Sequence, residues 1–80
     1  MKPDKEALQG EELRLRRLRR IMDFTAALLW QADLALSEAQ KLIADARARA
    51  LELFPGKEET FDLIYGSRFR RILAEKYHLQ

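Results

Sequence analysis

The stretch LRRLRRIMDFTAALLWQADLALSEAQKLIADARARALEL, residues 15–53, decides the fold. Between Glu11 and Phe54 there is no glycine and no proline, and the segment is filled with Leu, Ala, Arg, Glu and Gln, the strongest intrinsic helix formers. Alternating three-four spacing holds over Leu15, Leu18, Met22, Thr25, Leu29, Ala32, Leu36, Ala39, Ile43, Ala46, Ala50 and Leu53, where only Thr25 is not apolar. One half of this set is large (Leu15, Met22, Leu29, Leu36, Ile43). The other is small through the middle (Thr25, Ala32, Ala39, Ala46), which suits closely approaching helices in left-handed packing. Ile21, Leu28, Ala35 and Leu42 widen the stripe on one flank, as in a bundle. Phe24, Ala27, Trp30 and Leu34 form a second apolar patch away from the seam, with Trp30 expected to anchor an interface.

Working outward, Pro3 and Asp4 make a helix start, because proline fits the first turn and an acidic side chain favours the positive end of the helix dipole. Phe54-Pro55-Gly56 is the stop, since the residue before a proline is pushed out of helical geometry and glycine tolerates the turn. A second helix is predicted from about residue 58 to Tyr77, with Phe61, Ile64, Tyr65, Phe69, Ile72, Leu73 and Tyr77 in one stripe. Gly66-Ser67 is a place for a kink in it. The reading is therefore one all-α domain over residues 1–80, a long helix over about 4–54 folded against a shorter one.

Length then argues for association. About 50 helical residues span roughly 75 Å, the second helix roughly 27 Å, and a compact chain of this size has a radius of gyration near 12 Å. The short helix covers about a third of the stripe, and the remainder would be an exposed apolar band of the kind that marks an interaction surface. An oligomeric helical bundle follows, of the antiparallel coiled-coil type. The alternative is a monomeric three-helix bundle with the long helix broken near Asp33–Ser37, where Ser37-x-x-Gln40 has the form of a capping box. Against it, Lys41 sits where an apolar residue should pair with Leu36, and the heptad passes the site without a skip.

Charge supports the antiparallel arrangement. Glu11 to Arg20 carries five arginines and two glutamates, and Glu52 to Asp62 carries four acids and one lysine. An antiparallel pair would set the basic end of one helix beside the acidic end of the other, with a two-fold axis near Ala32 to Leu36, the midpoint of the seam. The expected partner is a second copy, as a homodimer or the larger tetramer, or another protein. The run Arg14, Arg16, Arg17, Arg19 and Arg20 supports a second expectation, nucleic-acid association, because arginine suits phosphate forks. No aromatic lies within the run for stacking. Arg68, Arg70 and Arg71 are expected on the polar side of the second helix, facing Glu58, Glu59 or Asp33.

Several function classes fall away. With no cysteine there is no disulfide framework, thiolate nucleophile or Cys-based zinc site, and a reducing cytoplasm is expected. His78 is the only histidine, the acids are scattered, and the three glycines form no phosphate loop, so no catalytic, cofactor or metal residue is assigned and no enzyme is expected. Met1-Lys2-Pro3-Asp4 opens without the apolar run of a signal peptide. Ile21–Leu36, the most apolar stretch, carries Asp23, Gln31 and Asp33 and falls short of the roughly 20 residues of a membrane span. A non-enzymatic oligomerisation or protein-interaction module is the expectation that remains.

Overall fold

The structure, a computed structural model, describes residues 5–79, and these are all-helical with no strand among them. The helix start expected at Pro3 and Asp4 lies outside the described residues. α1 spans Lys5–Gln31 and α2 spans Leu36–Leu53, joined by the turn at residues 32–35. After a turn through Pro55-Gly56, where Gly56 takes a φ of 79°, α3 (Glu58–Phe61) leads through a π-helical turn (Asp62–Gly66) into α4 (Ser67–Tyr77). The chain therefore runs down, up and down again as a helical bundle.

The predicted helix over 4–54 is corrected by this turn, which falls where the alternative three-helix reading put its break, near Asp33–Ser37. No glycine or proline marks it. Instead, α4 supplies partners for the carbonyls that the break frees. Lys76 Nζ donates to the carbonyls of Leu29 and of Ala32, the latter at 2.5 Å, and Tyr77 Oη donates to Leu34 O at 2.7 Å. A cation on the last carbonyls of α1 also meets the negative end of its dipole. On the other side of the turn the capping residue is Ala35 rather than Ser37, and Ser37 lies inside α2. Ala35 has no side-chain oxygen, so half of a capping box forms: Glu38 Oε1 accepts the Ala35 N–H at 3.0 Å.

Fold-back brings the two halves of the predicted seam against each other within one chain. Met22, Thr25 and Leu29 of α1 are buried, as are Ala39, Ala46 and Ala50 of α2, and the alanines let the helices approach closely. Ala26 joins them. Thr25 is tolerated there because its hydroxyl donates to Ile21 O, 2.7 Å away on its own helix. The expected axis near Ala32–Leu36 coincides with the turn itself, and the basic and acidic segments meet inside one hairpin. Arg14, for instance, sets its guanidinium 5.8 Å from the ring centre of Phe54.

Phe61, Phe69 and Ile72 close the core from the third arm. Met22, Leu29 and Phe69 are its fully buried large side chains, each contributing about 1.5–3 kcal/mol by leaving water. Steps of four residues from Phe61 to Tyr65 to Phe69 drift by about 40° each on a regular α-helix, and the wide π turn absorbs that drift. Phe61 and Tyr65 remain in ring contact at 5.6 Å between centroids. Ile64, which the sequence pattern counts in the stripe, is instead 59% exposed. Gly66, the last residue of the π turn, has ordinary helical angles, so the glycine's freedom is not what makes the irregularity.

α1 has 27 residues and α2 has 18, so α1 overruns its partner at the open end of the hairpin by roughly 14 Å. The molecule is accordingly elongated, 52 by 22 by 16 Å, with a radius of gyration of 14.8 Å.

Candidate functional site

A hairpin of two helices has two grooves, one on each side. α3 and α4 fill one of them: Gln40, Ile43 and Arg47 of α2 face Phe61, Asp62, Phe69 and Leu73. Arg47 forms an ion pair with Asp62, and Arg68 reaches Asp23 of α1 at 3.6 Å rather than the acids expected from the sequence.

The other groove is open along its length. Near the turn it is lined by Leu28, Ala32, Leu34, Glu38, Lys41, Leu42 and Asp45. Its middle consists of Ile21, Phe24, Thr25, Leu42, Asp45, Ala46 and Arg49. Its far end is formed by Arg17, Arg20, Ile21, Arg49, Glu52 and Leu53. Shared residues make the three parts continuous, Leu42 and Asp45 at one junction and Ile21 and Arg49 at the other. No residue of α3 or α4 lines it.

The apolar floor of this groove is the flank of the stripe: Ile21, Leu28 and Leu42 are half-buried, and Phe24 on its edge is 65% exposed. Its charge is polarised. The far end carries three arginines and one glutamate, the turn end two acids and one lysine.

The residues assigned to an oligomer interface therefore separate. Met22, Thr25, Leu29, Ala39, Ala46 and Ala50 are consumed inside the chain, and Leu18, Leu36, Ile43 and Leu53 are half-buried. Ala32 lines the open groove at its turn end. Leu15 is 43% exposed and borders a separate apolar hollow of about 270 Å³ at the open end, between α1, Leu51, Phe54, Phe61 and Ile64. Trp30 is half exposed in the last turn of α1, so it does not sit at a buried centre. The arginine run divides likewise. Arg17 and Arg20 line the groove, Arg14 turns to Phe54, and Arg16 and Arg19 are exposed.

No protein-family model, curated protein or solved structure matches the chain. Its own geometry carries the reading. Among the described residues no group of three or more His, Asp or Glu side chains converges to hold a metal, and no helix is long and apolar enough to cross a membrane.

Two contributors were not assigned from the sequence. Arg49 joins Arg17 and Arg20 only because the chain folds back at residue 32. Lys76 reads as a surface cation near the end of a helix until the turn of another hairpin is placed beside it.

Proposed function

We propose that the chain is a non-enzymatic homo-association module whose open groove receives the same groove of a second copy. The observation that carries this is the polarised groove: an apolar floor with a basic far end and an acidic turn end. Two copies related by a two-fold axis across its middle set each basic end against the other's acidic end, around Ile21, Phe24, Leu28 and Leu42. The product is a four-helix layer of two hairpins, each with its third arm outside.

Size sets the strength. A face about 27 Å long and about 20 Å wide buries roughly 500 Å² on each copy, at the low end for specific interfaces. Micromolar rather than nanomolar self-association follows. Sedimentation equilibrium across about 1–500 μM tests it, a range set by that interface size. Phe24→Glu, at an exposed position, should leave the monomer folded and abolish the dimer. A wild-type chain that stays monomeric throughout that range, or a Phe24→Glu chain that dimerises unchanged, rules the reading out.

One observation favours a second reading, phosphate-backbone binding: the hairpin sets Arg49 of α2 beside Arg17 and Arg20 of α1 in a single cleft. Binding to duplex or single-stranded probes would then weaken steeply with salt, and changing all three arginines to alanine would flatten that slope. Absence of binding at about 50 mM salt dismisses it.

A further inference from the structure

Nothing in the side chains of residues 32–35 demands a turn. Ala32, Asp33, Leu34 and Ala35 all accept helical geometry, and helix stands on both sides, at Gln31 and Leu36. The three-four spacing also passes through unbroken, from Leu29 to Ala32 to Leu36 to Ala39.

What opposes helix continuation is on α4. In a continuous helix the carbonyls of Leu29, Ala32 and Leu34 would accept from the N–H groups of Asp33, Leu36 and Glu38, four residues on. In the folded chain the first two accept from Lys76 Nζ and the third from Tyr77 Oη. Two adjacent side chains thus compete with the backbone bond for bond. Helical bonding stops after Ala32 N–H to Leu28 O and resumes with Ala39 N–H to Ala35 O. Continuation would restore the bonds donated by residues 33–38.

We propose that the chain has a second assembly state, in which residues 5–53 form one helix and two copies exchange α2 together with all that follows it. The partner is a second copy of this chain. Each α1 then packs antiparallel on the α2 of the other copy, with the two-fold axis at the former turn. Every contact of the hairpin is remade between chains: Met22, Thr25 and Leu29 still meet a surface of Ala39, Ala46 and Ala50. The basic segment around Arg17 stays beside the acidic one around Glu52. Because the two states share their apolar core, the difference between them lies in the turn, and Lys76 and Tyr77 set the balance. The exchange uses the seam rather than the open groove, so it stands or falls separately from the groove dimer.

The test is made in a Phe24→Glu background, which removes groove association. Lys76→Met with Tyr77→Phe should tighten exchange dimerisation, too weak to register in Phe24→Glu alone, by roughly tenfold or more and so make it measurable, since hydrogen bonds are lost from the closed state in both copies. Tyr77→Phe alone deletes one hydroxyl, keeps the ring in place and should act in the same direction if the double variant folds poorly. Adding Ala35→Pro should return the chain to monomer, because proline breaks a continuous helix and matches the φ of −65° at this position. Spin labels on Arg20→Cys and Arg49→Cys, one labelled chain diluted among unlabelled ones, identify the state directly. The intrachain distance should rise from neighbouring side chains to about 44 Å in the dimer, 29 residues of helix at 1.5 Å each. A chain that stays monomeric after loss of the Tyr77 hydroxyl, a dimer with a short intrachain distance, or a dimer indifferent to Ala35→Pro overturns the proposal.

Discussion

Arg47 Nε lies 2.9 Å from Asp62 Oδ1, and Arg47 Nη2 lies 3.3 Å from Oδ2, so α2 and the π turn are tied by a two-point ion pair. The hydrogen bond from Arg47, more than its charge alone, holds the Asp62 carboxyl below its usual range. A carboxyl with a lowered folded pKa contributes stability that is fully present above the unfolded value and lost as pH falls through the folded one. The side-chain carboxyl carbon of Asp62, followed by NMR, should therefore titrate below the usual range. In Arg47→Ala its midpoint should rise toward that range. An unshifted midpoint in the variant would show that the pair has no electrostatic role. Both groups are solvent-exposed, so the effect on stability is small.

The turn predicts an asymmetry for proline. At Ala35 the backbone already has φ of −65°, the side chain is exposed, and only the N–H bonded to Glu38 is lost. Ala35→Pro should change stability by no more than about 0.5 kcal/mol, the gain from a stiffer unfolded chain offsetting that bond. Ala44→Pro, exposed in the middle of α2, should cost about 3 kcal/mol or more. Urea midpoints measured side by side decide this, and equal losses would place the turn elsewhere.

Gly66 offers a gain. It has helical angles, and an added Cβ would meet Asp62 Cβ at 3.7 Å, ordinary van der Waals contact. Gly66→Ala should stabilise by about 0.5–1 kcal/mol, raising the melting temperature by roughly 2–8 °C. A lowered melting temperature would mean that the π turn needs the freedom of glycine.

Core and groove should respond in opposite ways to truncation. Leu29 is fully buried, and Leu29→Ala should cost about 2–5 kcal/mol, a large share of the roughly 5–15 kcal/mol that folded domains possess. Phe24→Ala removes a larger side chain from an exposed position and should cost less than about 0.5 kcal/mol. Its effect should appear in self-association. A comparable loss of stability from both would mean that Phe24 belongs to the core.

Local signals in the sequence carry the helical character of the chain, the stop at Phe54-Pro55-Gly56 and the helical stretch from residue 58 to Tyr77. Each depends on residues next to the feature: a proline, a glycine with positive φ, an apolar stripe. The break at 32–35 has only a weak local signal, the capping-box pattern at Ser37, which the structure does not use; Ala-Asp-Leu-Ala is itself a permissive helix sequence, and the donors that favour the break lie 43 to 47 residues further along. Periodicity correctly marks Met22, Leu29, Ala39 and Ala46 as apolar contact positions. It is silent on whether the opposing surface belongs to another chain or to the same chain folded back, since antiparallel contacts about a central point look alike in both. The open groove, formed by Ile21, Leu28 and Leu42, was visible as a widening of the stripe. Its arginine cluster was hidden because Arg49 is remote in sequence from Arg17 and Arg20.

The position of Lys76 and Tyr77 along the chain has a consequence for synthesis. Residues 5–53 are made before the two side chains that hold their turn, and at about 5–20 residues per second the interval from Leu53 to Lys76 lasts on the order of seconds. Helices form in about a microsecond. A nascent chain thus has ample time to sample the unbroken helix, and neighbouring ribosomes on one message hold such chains close together. The exchanged state proposed above therefore has its first opportunity to form during synthesis, before the side chains that hold the closed turn are in place.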